Sequence, residues 1–94
     1  MIKLPVLYDT LDTPKRRAVR KEYKIHQNCC CFHCGQPPDG PPSEEVQNKW
    51  IKESLFPEGF FKHPEHLHYD HNTGYTLGVV HARCNADLWQ YYGE

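Results

Sequence analysis

Two pairs of cysteine and histidine side chains constrain the fold of this 94-residue chain more than any other feature. Cys31 and Cys34 form the first pair, His81 and Cys84 form the second, and two residues separate the members of each pair. Tetrahedral Zn²⁺ binds three thiolates and one imidazole readily, and structural zinc sites often take such pairs from distant segments. The spacing therefore predicts a structural Zn²⁺ site that joins these two segments.

Two alternatives to this ligand set stay open at the level of the sequence. Cys31 and Cys34 are free buried thiols if no metal binds. Cys30 and His33 have the same spacing, so the ligand register could also shift by one residue. The five cysteines are odd in number and three of them are consecutive, which is a poor pattern for a disulfide framework. Such a pattern is typical of a metal site in a reducing compartment.

The length and composition predict one small domain, residues 1–94, with a weak core. Only 38% of the residues are apolar, and a chain of this size buries only about 60–65% of the surface of its unfolded state. Bound zinc can contribute ~10–16 kcal/mol of apparent folding free energy, which compensates for a small core. No apolar run approaches the ~20 residues of a membrane span, and residues 1–11 lack a secretory hydrophobic region. We expect a cytoplasmic protein with no membrane association.

Positive charge is concentrated at the start of the chain, although the net charge is −1. Residues 1–24 contain seven basic and three acidic side chains, whereas residues 25–94 contain four and nine. Thr13 is a candidate N-cap before Pro14, so a basic helix is predicted over residues 14–27. It is either a footprint for a phosphate backbone or a solvated helix face. Its candidate phosphate contacts are Lys15, Arg16, Arg17, Arg20 and Lys21.

Residues 35–65 are the least regular part and contain six of the eight prolines, so they are expected to begin as an extended loop. Ser43 is the predicted cap of a short helix stabilised by the ion pairs Glu45–Lys49 and Lys49–Glu53. The large aromatic side chains of this insert are expected in the core, although one of them could stack on an unpaired base. They are Trp50, Phe56, Phe60 and Phe61.

Residues 66–92 predict a β-hairpin followed by a helix. Strands are expected over 66–71 and 75–80, and the helix begins near Ala82. The helical period places Asn85 on the buried face, where an amide needs a hydrogen-bond partner or a ligand. The predicted buried face comprises His81, Cys84, Asn85, Leu88, Trp89 and Tyr92, and the opposite face comprises Arg83, Asp87 and Gln90.

Two stretches of this region resemble a known family. Residues 68–74 read His-Tyr-Asp-His-Asn-Thr-Gly, and residues 78–85 read Gly-Val-Val-His-Ala-Arg-Cys-Asn. They resemble the HNH (ββα-metal) endonucleases, and most closely the recombination endonuclease VII branch that is common in bacteriophages. That branch has Asp-His-Asp-His-x-Thr-Gly and then Gly-Leu-Leu-Cys-x-x-Cys-Asn, after a basic helix and an earlier Cys-x-x-Cys. The resemblance covers residues 14–34 and 66–92, and the 35–65 insert lies outside it.

The resemblance implies structural zinc and a second divalent ion, Mg²⁺ or Mn²⁺, that takes part in hydrolysis. By position, Asn85 matches the metal-ligating asparagine and His71 matches the second catalytic histidine. The metal-binding aspartate falls on His68 and the general base falls on Tyr69. A shift of one step would instead let Asp70 bind the ion and His71 act as the base. The spacing favours the first register and the chemistry favours the second.

The resemblance thus implies a small zinc-stabilised α+β nuclease domain of the ββα-metal type with a preceding basic helix. It would hydrolyse DNA to 5′-phosphate and 3′-hydroxyl ends, in the host cytoplasm if it is phage-encoded. The basic helix and an outward Arg83 would contact phosphate, which positions DNA without reading its sequence. Double-strand cleavage would need two sites, which a homodimer would supply.

Two rival functions belong to other classes. The first is a catalytically inactive nucleic-acid-binding module on the same fold, which Tyr69 in the position of the general base supports. The second is a zinc-stabilised protein-interaction domain that uses the acidic insert as its surface. Binding without cleavage would favour the first rival, and no affinity for nucleic acid at low salt would favour the second.

Overall fold

The computed structural model describes residues 3–93 and has an α+β architecture, as the sequence predicts. A two-stranded antiparallel sheet packs between one long helix and a second helix that follows it in the chain. Residues 1–2 and 94, at the ends of the predicted domain, lie outside the described residues. The elements are α1 (Thr13–His26), α2 (Glu44–Asn48), β1 (Glu65–Tyr69), β2 (Thr76–His81) and α3 (Ala82–Tyr92).

Helix α1 is the predicted basic helix, but its cap differs by one residue. Asp12 is the N-cap, and its carboxylate accepts a hydrogen bond of 3.0 Å from the backbone N–H of Lys15. Thr13 is therefore the first helical residue rather than the cap. A carboxylate satisfies a free N–H group of the first turn and also interacts favourably with the helix dipole.

The hairpin has the predicted form with slightly shifted ends. Glu65 pairs with His81 at one end, and an irregularity in the register precedes Tyr69 at the other. Strand β1 ends before Asp70 because this residue begins the turn. Its carboxylate Oδ1 accepts hydrogen bonds from the N–H groups of Asn72 and Thr73, at 2.7 and 3.3 Å. An aspartate that bonds the backbone two residues ahead is a common way to start a turn.

The two faces of the hairpin support two separate apolar clusters. Leu67 and Val79 face α1, where they pack with Val19 and Tyr23. The second cluster lies on the α3 side and joins the cysteine segment, the insert and the last helix. Its members are Cys31, Val46, Val80, Cys84 and Leu88. Because successive strand residues point to opposite faces, Val79 and Val80 contribute to different clusters.

The insert contains the predicted short helix but not the predicted ion pairs. The Ser43 hydroxyl accepts a hydrogen bond from the N–H of Val46, so it caps α2 as expected. Helix α2 ends at Asn48, so Lys49 does not share a helical face with Glu45 or with Glu53. The Lys49 amine instead lies 3.1 Å from the carboxylate of Asp87 in α3. Trp50, expected in the core, is 69% exposed.

The predicted faces of α3 need a correction. Asp87 was expected on the outer face, yet it is fully buried between Lys49 and His33. Trp89 and Tyr92 were expected on the inner face, yet they are 46% and 57% exposed. The prediction of a single apolar face assumes that only one neighbouring element covers the helix. The sheet covers one side of α3 and the insert covers another, so the buried arc is displaced towards Asp87.

No helix within residues 3–93 combines the length and the apolar character that crossing a lipid bilayer requires.

Candidate functional site

The four predicted zinc ligands converge in the structure. The ligand atoms of Cys31, Cys34, His81 and Cys84 all lie within 4.8 Å of one another. The Nδ1 atom of His81 is 3.4 Å from the sulfur of Cys34 and 3.5 Å from that of Cys84. Three thiolates and one imidazole at this separation can hold a structural metal such as zinc. Cys30 lies outside this group of ligands, so the alternative register is not the one that forms.

The first ligand pair is held against β2 by the side-chain amide of Gln27. Its NH₂ group donates to the carbonyl oxygens of Cys30 and Val79, and its oxygen accepts from the N–H of Val79 at 2.8 Å. The N–H of Phe32 also donates to the Val79 carbonyl, at 2.9 Å. Gly78 permits this close approach, because a Cβ there would lie 2.7 Å from the Gln27 oxygen.

A carbonyl oxygen behind the ring fixes the orientation of His81. The Nε2 atom lies 2.8 Å from the carbonyl oxygen of Pro37, so Nε2 carries the proton and donates it. The lone pair of Nδ1 then points to the three sulfurs. Such a partner behind a ligating histidine selects the tautomer and increases the basicity of the metal-binding nitrogen.

The thiols of Cys31 and Cys84 are hydrogen-bonded to each other, and a bound cation would change their protonation. The hydrogen bond with Cys84 lowers the pKa of Cys31 from 9.0 to about 4. The same hydrogen bond, together with burial, raises the pKa of Cys84. One thiolate therefore forms readily, while a second negative charge at this distance is unfavourable. A divalent cation would remove that penalty, since it stabilises every thiolate that binds it.

A groove of about 1010 Å³ is lined by residues of α1, the insert, β1 and α3. Arg16 and Arg20 of α1 define its basic wall, and apolar side chains of the insert define its apolar wall. His66 and Asn85 define its polar floor. The apolar wall comprises Leu55, Phe56, Pro57 and Phe60.

The hydrogen bonds that His66 and Asn85 make at the floor leave the side-chain oxygen of Asn85 without a partner. The Nε2 atom of His66 is 2.8 Å from the carbonyl oxygen of Phe60, so it must be the donor. Burial lowers the pKa of His66 below 6.5, which favours the neutral ring. The Nδ1 atom then accepts a hydrogen bond from the Asn85 NH₂ group at 3.1 Å. The Oδ1 atom of Asn85 is buried, with no hydrogen-bond partner among the described residues. It is an acceptor available to a ligand.

A row of aromatic rings begins at the basic wall and reaches α3. The guanidinium of Arg16 lies 4.5 Å from the ring centroid of Tyr8, which stacks on Tyr69 at 4.2 Å. Tyr69 contacts His71 with ring centroids 4.5 Å apart, and His71 contacts Trp89 at 4.4 Å. All five side chains line the groove. The exposed ring of His71 is therefore held in place although it belongs to a turn.

Two of the predicted catalytic-metal ligands lie outside the groove. His68 is only 2% exposed and does not line it. The carboxylate of Asp70 is engaged by the N–H groups of the hairpin turn. Among the predicted residues of the catalytic site, the groove brings together Tyr69, His71 and Asn85.

The predicted phosphate contacts also separate into groups. Arg16 and Arg20 line the groove, whereas the other three basic side chains of the predicted set on α1 are exposed outside it. Arg83 does not have the predicted outward position. Its guanidinium donates to the carbonyl oxygens of Val46, Gln47 and Lys49, with the shortest distance 2.7 Å. These carbonyl groups belong to the last turn of α2 and to its C-cap Lys49, where helices leave acceptors unsatisfied.

His66 and Tyr8 have roles in the groove that the sequence did not predict. His66 falls in the predicted strand 66–71, and in the structure its ring also holds Asn85 in place. Its alternation with His68 on β1 signalled that it faces α3, where Asn85 lies. Tyr8 had no signal in the sequence, because its stacking on Tyr69 depends on where the chain before α1 lies.

Comparisons with models of known protein families, with curated proteins and with solved structures found no match to this chain.

Proposed function

We propose that this protein is a metal-dependent DNA endonuclease that hydrolyses phosphodiester bonds to 5′-phosphate and 3′-hydroxyl ends. The observation that carries the proposal is the buried side-chain oxygen of Asn85, which has no partner in residues 3–93 and belongs to a residue that lines the groove together with Arg16 and Arg20. Leaving a buried carbonyl oxygen unsatisfied costs about 1–3 kcal/mol, so a ligand such as a metal ion at this atom would be favourable. The motif around Asn85 resembles the HNH endonucleases, in which the matching asparagine binds the catalytic ion.

The proposed chemistry assigns one task to each side of the groove. Arg16 and Arg20 bind the phosphate oxygens on either side of the scissile bond. His71, held between Tyr69 and Trp89, accepts the proton of the attacking water. Tyr69 is the second candidate for the base, and the adjacent ring of Tyr8 fixes its orientation.

The proposed cofactors have separate roles. Zinc at the Cys₃His cluster would be structural. Mg²⁺ or Mn²⁺ at the Asn85 oxygen would stabilise the charge that develops on the leaving 3′-oxygen. His66 supports this site indirectly, because its hydrogen bond holds the Asn85 NH₂ group and so leaves the oxygen of the same amide for the ion.

One observation favours the alternative function, a nucleic-acid-binding module without catalysis. Within the described residues, the Cys₃His cluster is the one place where three or more His, Cys, Asp or Glu side chains could share a metal ion. The floor of the groove therefore offers a catalytic ion few protein ligands. This arrangement is compatible with Mg²⁺, which usually keeps several water ligands, and also with the absence of catalysis.

Nicking of supercoiled plasmid distinguishes the two functions. Zinc-loaded protein is incubated with Mg²⁺, with Mn²⁺ or with neither, and compared with the variants His71→Ala, Tyr69→Phe and Asn85→Ala. We expect cleavage that depends on the added ion and falls at least about 100-fold in His71→Ala, as for loss of a general base. Cleavage should also fall in Asn85→Ala, because this variant lacks the side-chain oxygen that binds the ion. Tyr69→Phe identifies the base, since it should retain activity if His71 has this role.

The stability of Asn85→Ala provides the control for folding. The substitution removes one hydrogen bond but also removes an unsatisfied buried oxygen, and alanine favours the helix. We expect its midpoint of urea unfolding to change little or to rise. If wild-type protein binds plasmid, branched and single-stranded DNA but cleaves none of them with either ion, the endonuclease proposal is wrong and the binding module remains.

A further inference from the structure

The insert of residues 35–65 contributes apolar side chains to the groove, and the proposed hydrolysis does not use them. Its side chains Leu55, Phe56 and Phe60 form the apolar wall of the groove that the arginines of α1 also line. Phe56 and Phe60 are in contact, with ring centroids 4.8 Å apart. The hydrolytic chemistry proposed above requires only a phosphate, a metal ion and a base, so it gives no role to this wall.

The apolar wall lies next to the floor where hydrolysis is proposed. The ring of Phe60 contacts the ring of His66 edge to face at 4.5 Å, and His66 bonds Asn85. Trp89 lies one helical turn beyond Asn85, and its indole is 46% exposed. A phosphate at the floor would therefore share the groove with aromatic and apolar surface and with guanidinium groups.

This arrangement matches the two parts of a single nucleotide. A phosphate carries negative charge, and the Nε atom of Arg16 is buried with no partner within residues 3–93. A nucleobase is a flat apolar ring that stacks on aromatic side chains. The groove, at about 1010 Å³, is at the upper end of the roughly 300–1,000 Å³ range of small-molecule sites, so a nucleotide fits it.

A base inside duplex DNA cannot reach such a wall. Both of its faces are stacked and its edge is paired, so the base must be unpaired or turned out of the helix, which costs a few kcal/mol. The same base in a single strand is already accessible. Contacts to the wall therefore favour single-stranded DNA, whereas contacts between arginines and phosphates give the single strand no advantage, because the duplex has the higher charge density.

We propose that the groove binds an unpaired nucleotide of single-stranded DNA, with its base on Phe56, Phe60 and Trp89 and its phosphate on Arg16 and Arg20. This inference rests on the proposed function, whose substrate class it defines. It also assigns a role to the insert, which presents the base-binding wall.

Affinities for matched probes test the inference without cleavage. The probes are fluorescein-labelled oligothymidylate and the same strand annealed to oligoadenylate. Fluorescence anisotropy is measured on zinc-loaded protein without added Mg²⁺ or Mn²⁺, and gels show that the probes stay intact. We expect at least about ten-fold tighter binding of the single strand, which corresponds to about 1.4 kcal/mol and lies within the range for stacking of one base.

The same substitution at two positions tests whether the apolar wall binds the base. Phe56→Leu removes a ring that lines the groove, and Phe32→Leu removes a ring that is 56% exposed outside it. We expect Phe56→Leu to weaken single-strand binding about five-fold or more and leave duplex binding unchanged, while Phe32→Leu changes neither. Circular dichroism confirms that both variants are folded. Trp50→Phe leaves Trp89 as the one tryptophan, and its emission should be quenched by the single strand.

The results separate this inference from the proposed function. Equal affinity for both probes, or equal effects of the two leucine variants, overturns the inference even if the protein cleaves duplex plasmid. A clear preference for the single strand that depends on Phe56, without cleavage of any DNA, supports the groove as a binding site and overturns only the endonuclease proposal.

Discussion

The ring of His66 is half-buried, and both of its nitrogen atoms make hydrogen bonds. Its Nε2–H group donates to the carbonyl oxygen of Phe60, and its Nδ1 atom accepts from Asn85. A charged ring would need an acceptor at both nitrogens, and it would be poorly solvated at this depth. The neutral tautomer is therefore part of the folded state, and the orientation of the Asn85 oxygen depends on it.

The stability of the protein should respond to pH through His66. Burial lowers the pKa of His66 in the folded state, so the unfolded state binds more protons between that pKa and about 6.5. The contribution of His66 to the free energy of unfolding is complete above pH 7. It should decrease as the pH falls through about 6.5 and level off below the folded-state pKa.

Urea unfolding between pH 5 and 8 measures this effect, with zinc present and no Mg²⁺ or Mn²⁺. His66→Gln keeps a donor for Phe60 and an acceptor for Asn85 but does not titrate, so its stability should depend less on pH than that of the wild type. His26→Gln is the control, since His26 is exposed at the end of α1. Equal pH dependence of wild type and His66→Gln would exclude the assigned burial effect.

Polar contacts rather than a large apolar interface attach α2 to α3. Arg83 of α3 donates to carbonyl oxygens of the last turn of α2 and of Lys49, the residue after it, and Asp87 pairs with the Lys49 amine. Asp87 also lies 2.7 Å from the Nε2 atom of His33 in the cysteine segment. One buried carboxylate thus joins the insert, the first ligand pair and the last helix. A buried charge is tolerated only when it is paired in this way.

The ion pair between Lys49 and Asp87 should make a measurable contribution to stability. Hydrogen bonding to Asp87 raises the pKa of Lys49, which shows that its charged form is favoured. Lys49→Met leaves the buried carboxylate with His33 as its remaining partner, so we expect a lower urea midpoint. Lys52→Met makes the same chemical change at an exposed position and should have no effect. Equal midpoints for the two variants would mean that the pair adds nothing.

Neither apolar cluster spans the whole molecule, and the Cys₃His cluster lies where a metal could join its segments. Val19, Tyr23, Leu67 and Val79 lie on the α1 side of the hairpin, and the other cluster lies on the α3 side. Two of the four ligands, Cys31 and Cys84, are themselves buried members of the second cluster. A bound metal would therefore crosslink the cysteine segment to α3 at the centre of that cluster.

Removal of zinc should unfold the α3 side of the protein. Structural zinc contributes about 10–16 kcal/mol in small domains, which exceeds the total stability of a typical domain of this size. We expect a strong chelator to abolish the cooperative thermal transition, and Zn²⁺ to restore it. Cys34→Ser should lose the bound zinc equivalent, as measured by metal analysis, whereas Cys29→Ser should retain it because Cys29 is exposed outside the cluster. Retention of one equivalent by Cys34→Ser would refute this ligand set.

Local signals carried much of the prediction. The proline in the first turn of α1, the Ser43 cap and the composition of the hairpin strands are local features of the chain, so the helices, the hairpin and their approximate ends follow from sequence. The ligand pairs are also local patterns, and pairing them required only that two segments meet. Tyr69, His71 and Asn85 could be named as candidates by resemblance, but no comparison with known proteins supports their roles.

The tertiary structure alone decided what covers each face. The burial of Asp87, the inward position of Arg83 and the exposure of Trp50 depend on where the insert packs, and helical periodicity carries no information about a second neighbour. The same holds for the side-chain oxygen of Asn85. It has no partner within residues 3–93, while the NH₂ group of the same amide bonds His66. By itself the sequence determined the elements and the four converging ligands, since caps, periodicity and spacing act over a few residues. Burial and the partners of polar atoms were decided by packing between distant segments.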